Sequence, residues 1–169
     1  MFYLGMDVAK AKLDCRLLLD EISGKQKSKV VNNAKSGIVD LLAWTAKYNI
    51  SPEELHIIME ATGVYHEQAA LALTDAGVKV SIINPAQVKD FGRGLAVRTK
   101  TDGVDSFVLA RYGALLKPAA WIPPAPEARM LQASTGGHCP RLATRAESPR
   151  ESRGHRYASA DSEITGRKH

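Results

Sequence analysis

A chain of 169 residues has room for one domain with a real core, and it excludes a machine built from several large domains. The formal net charge of +5 points to a polyanionic partner, yet more than half of the excess lies beyond residue 133, and the local exception within the body is "KDFGRGLAVRTK" at residues 89–100. No apolar run is long enough to cross a bilayer and "MFYLGMDVAK" has no signal-peptide pattern, so a cytoplasmic protein is expected, with Cys15 and Cys139 as free thiols in no metal spacing and Cys15 in the core.

"FYLGMDVA" is apolar on both alternating sets apart from Asp7, the mark of a strand buried on both faces. "KLDCRLLLDE" reads as a second strand, and "GKQKSKVVNN" as a turn and a more polar third strand suited to a sheet edge. Together these form an antiparallel meander. Residues 33–48 space Ile38, Leu41, Leu42 and Thr45 as an amphipathic helix. "LHIIME" at 55–60 is an apolar strand ending in Glu60. A helix follows through Ala76 and stops at Gly77, and "VKVSIIN" supplies the next strand, so a parallel crossover is predicted.

Pro85 starts a short helix, "FGRGLAVRTKT" reads as a loop or broken helix, and a stronger helix runs from Asp102 to Leu116. "PAAWIPPAPEA" is predicted to be extended. The stretch from 134 to 169 has too few apolar residues to order itself, so a disordered tail is expected, and its histidines, His138, His155 and His169, share no metal-binding period. No internal repeat is found.

Four acids stand out. Asp102 and Asp105 open the helix that ends at Leu116; a cap and a first-turn acid explain such a pair in the simplest case. On a helical projection, however, Asp105 falls within the stripe of Val108, Tyr112, Leu115 and Leu116, and a carboxylate on a core-facing stripe needs neutralisation. Asp7 interrupts the most buried strand, and Glu60 closes another where open α/β sheets place their sites. If these strands are neighbours and the helix lies across them, four carboxylates converge with no obvious Lys or Arg among them. Such a cluster repels itself unless divalent cations occupy it. All-oxygen ligation suits Mg2+ or Mn2+, and two such ions about 4 Å apart can act on the two sides of a phosphodiester.

"GMDVAKAKLD", "IIMEATGVYHEQAALALTDAGVKVSIINPAQVKDFGRGL" and "KTDGVDSFVLARYG" resemble the amino-terminal domain of transposases of insertion-sequence family 110, relatives of the pilin-gene-inverting recombinases. The resemblance runs from about Met1 to Ala133. It implies a bacterial protein with an α/β, ribonuclease H-like (RuvC-like) mixed sheet flanked by helices, and a magnesium-binding tetrad at Asp7, Glu60, Asp102 and Asp105. It also implies DNA as substrate, branched or at element ends, a structured guide RNA, and homo-oligomers in full-length relatives. The domain then occupies 1–118, a proline-rich exit segment that starts the family linker occupies 119–133, and 134–169 is the tail. After Ala133 the text no longer resembles the family, and no serine-bearing second domain is visible. A truncated or frameshifted transposase fragment is therefore expected.

The alternative is a non-catalytic module that binds nucleic acid or pairs with an intact transposase, carried by Lys89, Arg93, Arg98 and Lys100. A sugar-kinase or actin-like ATPase is a weaker rival: "GMDVAKAKLD" resembles the phosphate loop after the first strand of such folds, but the chain lacks a second Gly-rich phosphate segment and is too short for two lobes. His56 and His66 read as hydrogen-bonded structural residues, Trp44 and Tyr65 as packing residues, and Trp121 as a residue that docks on the domain or on a partner. Thr62 reads as a helix cap and Asn84-Pro85 as a turn.

Overall fold

The computed structural model describes residues 1–61, 63–95 and 106–134, with side chains as far as 130. Five strands, β1 (Phe2–Val8), β2 (Lys12–Leu18), β3 (Gln26–Asn32), β4 (Leu55–Glu60) and β5 (Lys79–Ile83), form one sheet in the order β3-β2-β1-β4-β5. β1, β2 and β3 are the antiparallel meander, whereas β4 lies parallel to β1 and β5 parallel to β4. This order, with β2 the one strand reversed against the rest, is the ribonuclease H-like mixed sheet expected from the sequence. β3 is an edge, as its polar pattern required, and Lys27 and Lys29 discourage further pairing there.

Alternation along the strands divides the core in two. Leu4, Met6 and Val8 of β1 join Leu13, Cys15 and Leu17 of β2 and Ile57 and Met59 of β4 beneath helices α1 (Lys35–Ala46) and α2 (Tyr65–Asp75). Burial pushes the Cys15 thiol up to about 12, so it is an inert core filler. Helix α2 ends in a Schellman turn: Gly77 takes φ of 86°, its N–H reaches Thr74 O at 3.0 Å, and the Val78 N–H reaches Leu73 O at 3.0 Å.

The opposite face carries Tyr3, Leu18, Ile58 and Ile83, covered by α3 (Pro85–Gly94) and α4 (Ser106–Leu116). Asn84-Pro85 is not a turn. The Asn84 side chain caps α3 by accepting from the Ala86 N–H at 2.9 Å, with Pro85 in the first helical position, where its missing N–H costs nothing. The helix continues through Phe91–Gly94, the start of the stretch read as a loop or broken helix, because Val88 and Phe91 give it an apolar side against α4.

The stripe predicted for α4 is only partly right. Val108 and Tyr112 are buried, but Leu115 and Leu116 are each 55% exposed. The surface turned to the sheet is Ser106, Leu109, Ala110 and Gly113, a row of mostly small residues that lets the helix lie close, and its last turn is left exposed.

After α4 the chain passes round the β5 edge: Ser81 Oγ donates to Ala119 O at 2.6 Å and the Trp121 N–H to Val80 O at 2.7 Å. Trp121 packs against the core beneath α1 and α2, so it docks on the domain itself. The segment predicted as extended is free of helix from 118 to 125, and only its end enters helix α5 at Pro126–Ser134, again with proline in the first turn, where Arg129 pairs with Asp75 of α2 at 3.3 Å. The expected disorder beyond 134 lies outside the described residues.

Candidate metal-binding site on the sheet

The parallel register of β1 and β4 runs from Phe2↔Leu55 to Met6↔Met59, so the next step sets Asp7 beside Glu60 at the carboxyl ends of adjacent strands. Both alternate onto the α4 face, since Tyr3 and Ile58 of the same strands are packed there. From here the chain leaves β1 into a hairpin on one side and β4 into α2 on the other, the arrangement that opens a crevice at strand ends.

Electrostatics agree with the register. The Glu60 carboxyl is pushed above the usual range, first by partial burial and then by the negative charge of Asp7. Two carboxylates that raise each other's cost of ionisation form a donor set suited to a hard cation. Among the described residues, no group of three or more His, Cys, Asp or Glu side chains able to hold a metal ion is found. Asp102 and Asp105 lie outside the described residues, as do Arg98 and Lys100.

The described start of α4 lies against β1 close to Asp7. Ser106 is 4% exposed, and a Cβ placed on Gly5 would run into the Ser106 carbonyl oxygen and the Ala110 backbone nitrogen. Gly5 is therefore what allows the helix to lie on β1, two residues before Asp7. At the other end of the contact, Gly113 lies against Ile58 and Tyr3 in the same way.

A lysine and a further acid near Asp7 went unremarked in the sequence. In the β1–β2 hairpin Asp7 faces Asp14, and Lys12 Nζ pairs with Asp14 Oδ2 at 2.9 Å. The hydrogen bond and charge of Asp14, with a smaller contribution from Asp7, raise the Lys12 ammonium above its ordinary range. The signal was available, because the short turn Ala9–Ala11 in "GMDVAKAKLD" sets Asp14 opposite Asp7 once it is read as a hairpin. Asn33, also overlooked, ties this turn to the start of α2: its Nδ2 donates to Ala9 O at 2.9 Å and Tyr65 O at 3.3 Å.

Of the other candidates, Lys89 and Arg93 are exposed on α3, where Arg93 pairs with Asp90 at 3.1 Å. His56 is the structural residue expected: it is 1% exposed, 2.8 Å from Ser81 Oγ, and its imidazole is held down at about 4 by burial and by Lys79. His66 departs from expectation, because its buried Nδ1 has no hydrogen-bond partner among the described residues. Trp44 packs edge-on against Tyr48 as a core residue should, whereas Tyr65 is 43% exposed. Thr62 lies outside the described residues, and the N-cap position of α2 falls on Val64.

Comparison with known proteins gives the family of this mixed sheet with paired acids at its strand ends. Residues 4–145 match the transposase family of insertion-sequence 110 type, named for its DEDD acids, and the chain belongs to that family. The match passes residue 133, where the quoted resemblance ends. The pilin gene-inverting proteins of Moraxella lacunata and Moraxella bovis are each 36% identical to it over 121 residues, which is 72% of this chain and 37% of theirs. The chain thus spans little more than a third of the length of these relatives. Thermus thermophilus RuvC superposes with a TM-score of 0.47 at 18% identity, covering 71% of this chain and 99% of that one. The same protein in complex with a Holliday junction substrate gives 0.43 at 16%, covering 68% and 92%.

Proposed function

We propose that this chain is the carboxylate-site domain of a DNA transposase or recombinase, in which Asp7, Glu60, Asp102 and Asp105 hold Mg2+ or Mn2+ and act on a phosphodiester. The observation that carries this reading is the meeting of Asp7 and Glu60 on the face where Ser106 lies over Gly5. Asp105 directly precedes Ser106 in the chain. A hard divalent ion bound there would offset the carboxylate charges and polarise a phosphate oxygen. The protein's own part is to fix Asp7 and Glu60 on adjacent strands, so that little reorganisation of this pair is needed when the phosphate arrives. Partial burial of Glu60 strengthens its interaction with any cation it meets.

Branched or element-end DNA is the substrate in this reading, in a bacterial cytoplasm. Lys89 and Arg93, exposed on α3, together with Arg98 and Lys100 further along the chain, would contact its backbone. Among the described residues no helix is long and apolar enough to cross a membrane. A structured guide RNA and self-association belong to the whole protein of which this domain forms part, as does completion of strand exchange by a second domain.

Fluorescence anisotropy of a labelled four-way DNA junction, over a salt series with and without Mg2+, tests the reading. Binding is expected to fall steeply with salt, to tighten with Mg2+, and to lose that metal response in Asp7→Ala. Binding indifferent to both metal and acids would instead mark a non-catalytic nucleic-acid or transposase-pairing module.

A further inference from the structure

We infer that Lys12, steadied by Asp14, is a DNA-phosphate contact at the lip of the carboxylate site, an inference that rests on the reading of that site as acting on DNA. The hairpin supplies the geometry. The Ala9 N–H donates to Lys12 O at 2.9 Å and closes the turn, and the register Asp7↔Asp14 sets the second acid opposite the first. Lys12 lies two residues from Asp14 on the same strand, so both side chains share the α4 face with Asp7 and Glu60.

Position, rather than strength, is what the pair has to explain. The side chains of Lys12 and Asp14 are 58% and 35% exposed, and an exposed pair of this kind adds no more than about 1 kcal/mol to stability. It does place an ammonium beside a set of acids that would otherwise repel an approaching phosphodiester. A lysine here counters that repulsion as a point charge, one donor held by Asp14 and the others left for a phosphate oxygen. Asp14 has its charge committed to Lys12 and does not complete a three-carboxylate group with Asp7 and Glu60 among the described residues. It is a positioning residue for the lysine.

The control is Lys10, an exposed lysine in the same turn. Lys10→Gln and Lys12→Gln change the net charge equally, so a general charge effect moves both alike. The full chain and its variants are titrated against the four-way junction over a salt series, with Mn2+ binding followed in parallel by calorimetry and folding by circular dichroism. Lys12→Gln is expected to weaken junction binding about fivefold to tenfold and to reduce the salt slope by about one, against less than about twofold for Lys10→Gln. Lys12→Arg should recover most of the loss. Asp14→Asn, despite its added positive charge, is expected to bind no more tightly than wild type.

Equal losses in the two glutamine variants, an unaltered Lys12→Gln slope, tighter binding by Asp14→Asn, or loss of Mn2+ heat in Lys12→Gln would each overturn the inference. If Lys12→Gln is silent while the junction still binds with a metal response, the inference alone falls. If wild type binds no junction at all, the functional reading falls with it.

Discussion

On the face of the sheet beneath α1 and α2, β1 and β4 present Leu4, Met6, Val8, Leu55, Ile57 and Met59, apolar side chains of similar bulk that interlock. On the face beneath α4 the same two strands present Tyr3, Gly5 and Asp7 beside His56, Ile58 and Glu60. The first face gains stability from area removed from water. The second gives up bulk at Gly5, so that a helix can lie on the strand, and collects polar groups towards the strand ends. A domain that must bring acids together near a backbone does so where packing has been thinned, and leaves full packing to the other side.

The largest effect should come from filling the thin side. Gly5→Val drives side-chain carbon into the α4 backbone, which cannot yield as a side chain would, and is expected to cost about 3 kcal/mol or more by urea unfolding. Gly113→Ala meets mainly the movable Ile58 side chain and should cost about 1 kcal/mol. Equal costs would mean that the backbone contact at Gly5 is not what holds α4 in place.

Next comes pH. Folding holds His56 at about 4, below its ordinary 6.5, so the unfolded chain takes up this proton first as the solution is acidified. The stability is therefore fully present above about pH 6.5 and is lost as pH falls towards 4, a decline on the order of 3 kcal/mol that His56→Gln should flatten. A wild-type unfolding profile flat across that window would contradict the buried neutral imidazole. Ser81→Ala removes the partner of His56 and the tie to Ala119 O, and should cost about 1–2 kcal/mol in thermal unfolding.

The smallest effect belongs to the acids. Glu60 has its carboxyl raised by burial and by Asp7, so its ionised form at neutral pH opposes folding. In chelator, Glu60→Gln should raise the melting temperature by about 1–3 °C, the change that a few tenths of a kcal/mol produces. A drop would mean that Glu60 serves the fold.

Much of this was legible in the residues. The doubly apolar run of β1, the acid ending β4 and the Gly77 stop marked the strands and the crossover, because burial pattern and capping are local signals, whereas the pairing of β1 with β4 was left open until the register was seen. Leu115 and Leu116 were misjudged because a helical projection cannot tell where the sheet beneath a helix ends. Lys12 and Asp14 were overlooked because their meaning depends on pairing across a hairpin, a non-local fact. The helices at Phe91–Gly94 and Pro126–Ser134 ran against Gly and Pro signals that tertiary packing and first-turn position overrode.

The central claim is that acids from separate parts of the chain share one divalent-ion site. Calorimetric titration of Mn2+ into the wild-type chain and into Asp7→Ala, Glu60→Ala and Asp105→Ala tests it most directly. The account expects saturable heat in wild type that is lost or weakened at least tenfold in each variant, with all four proteins folded. Indistinguishable heats in the four would contradict it, and Asp102 and Asp105 would then keep only the capping role that the sequence allows in the simplest case.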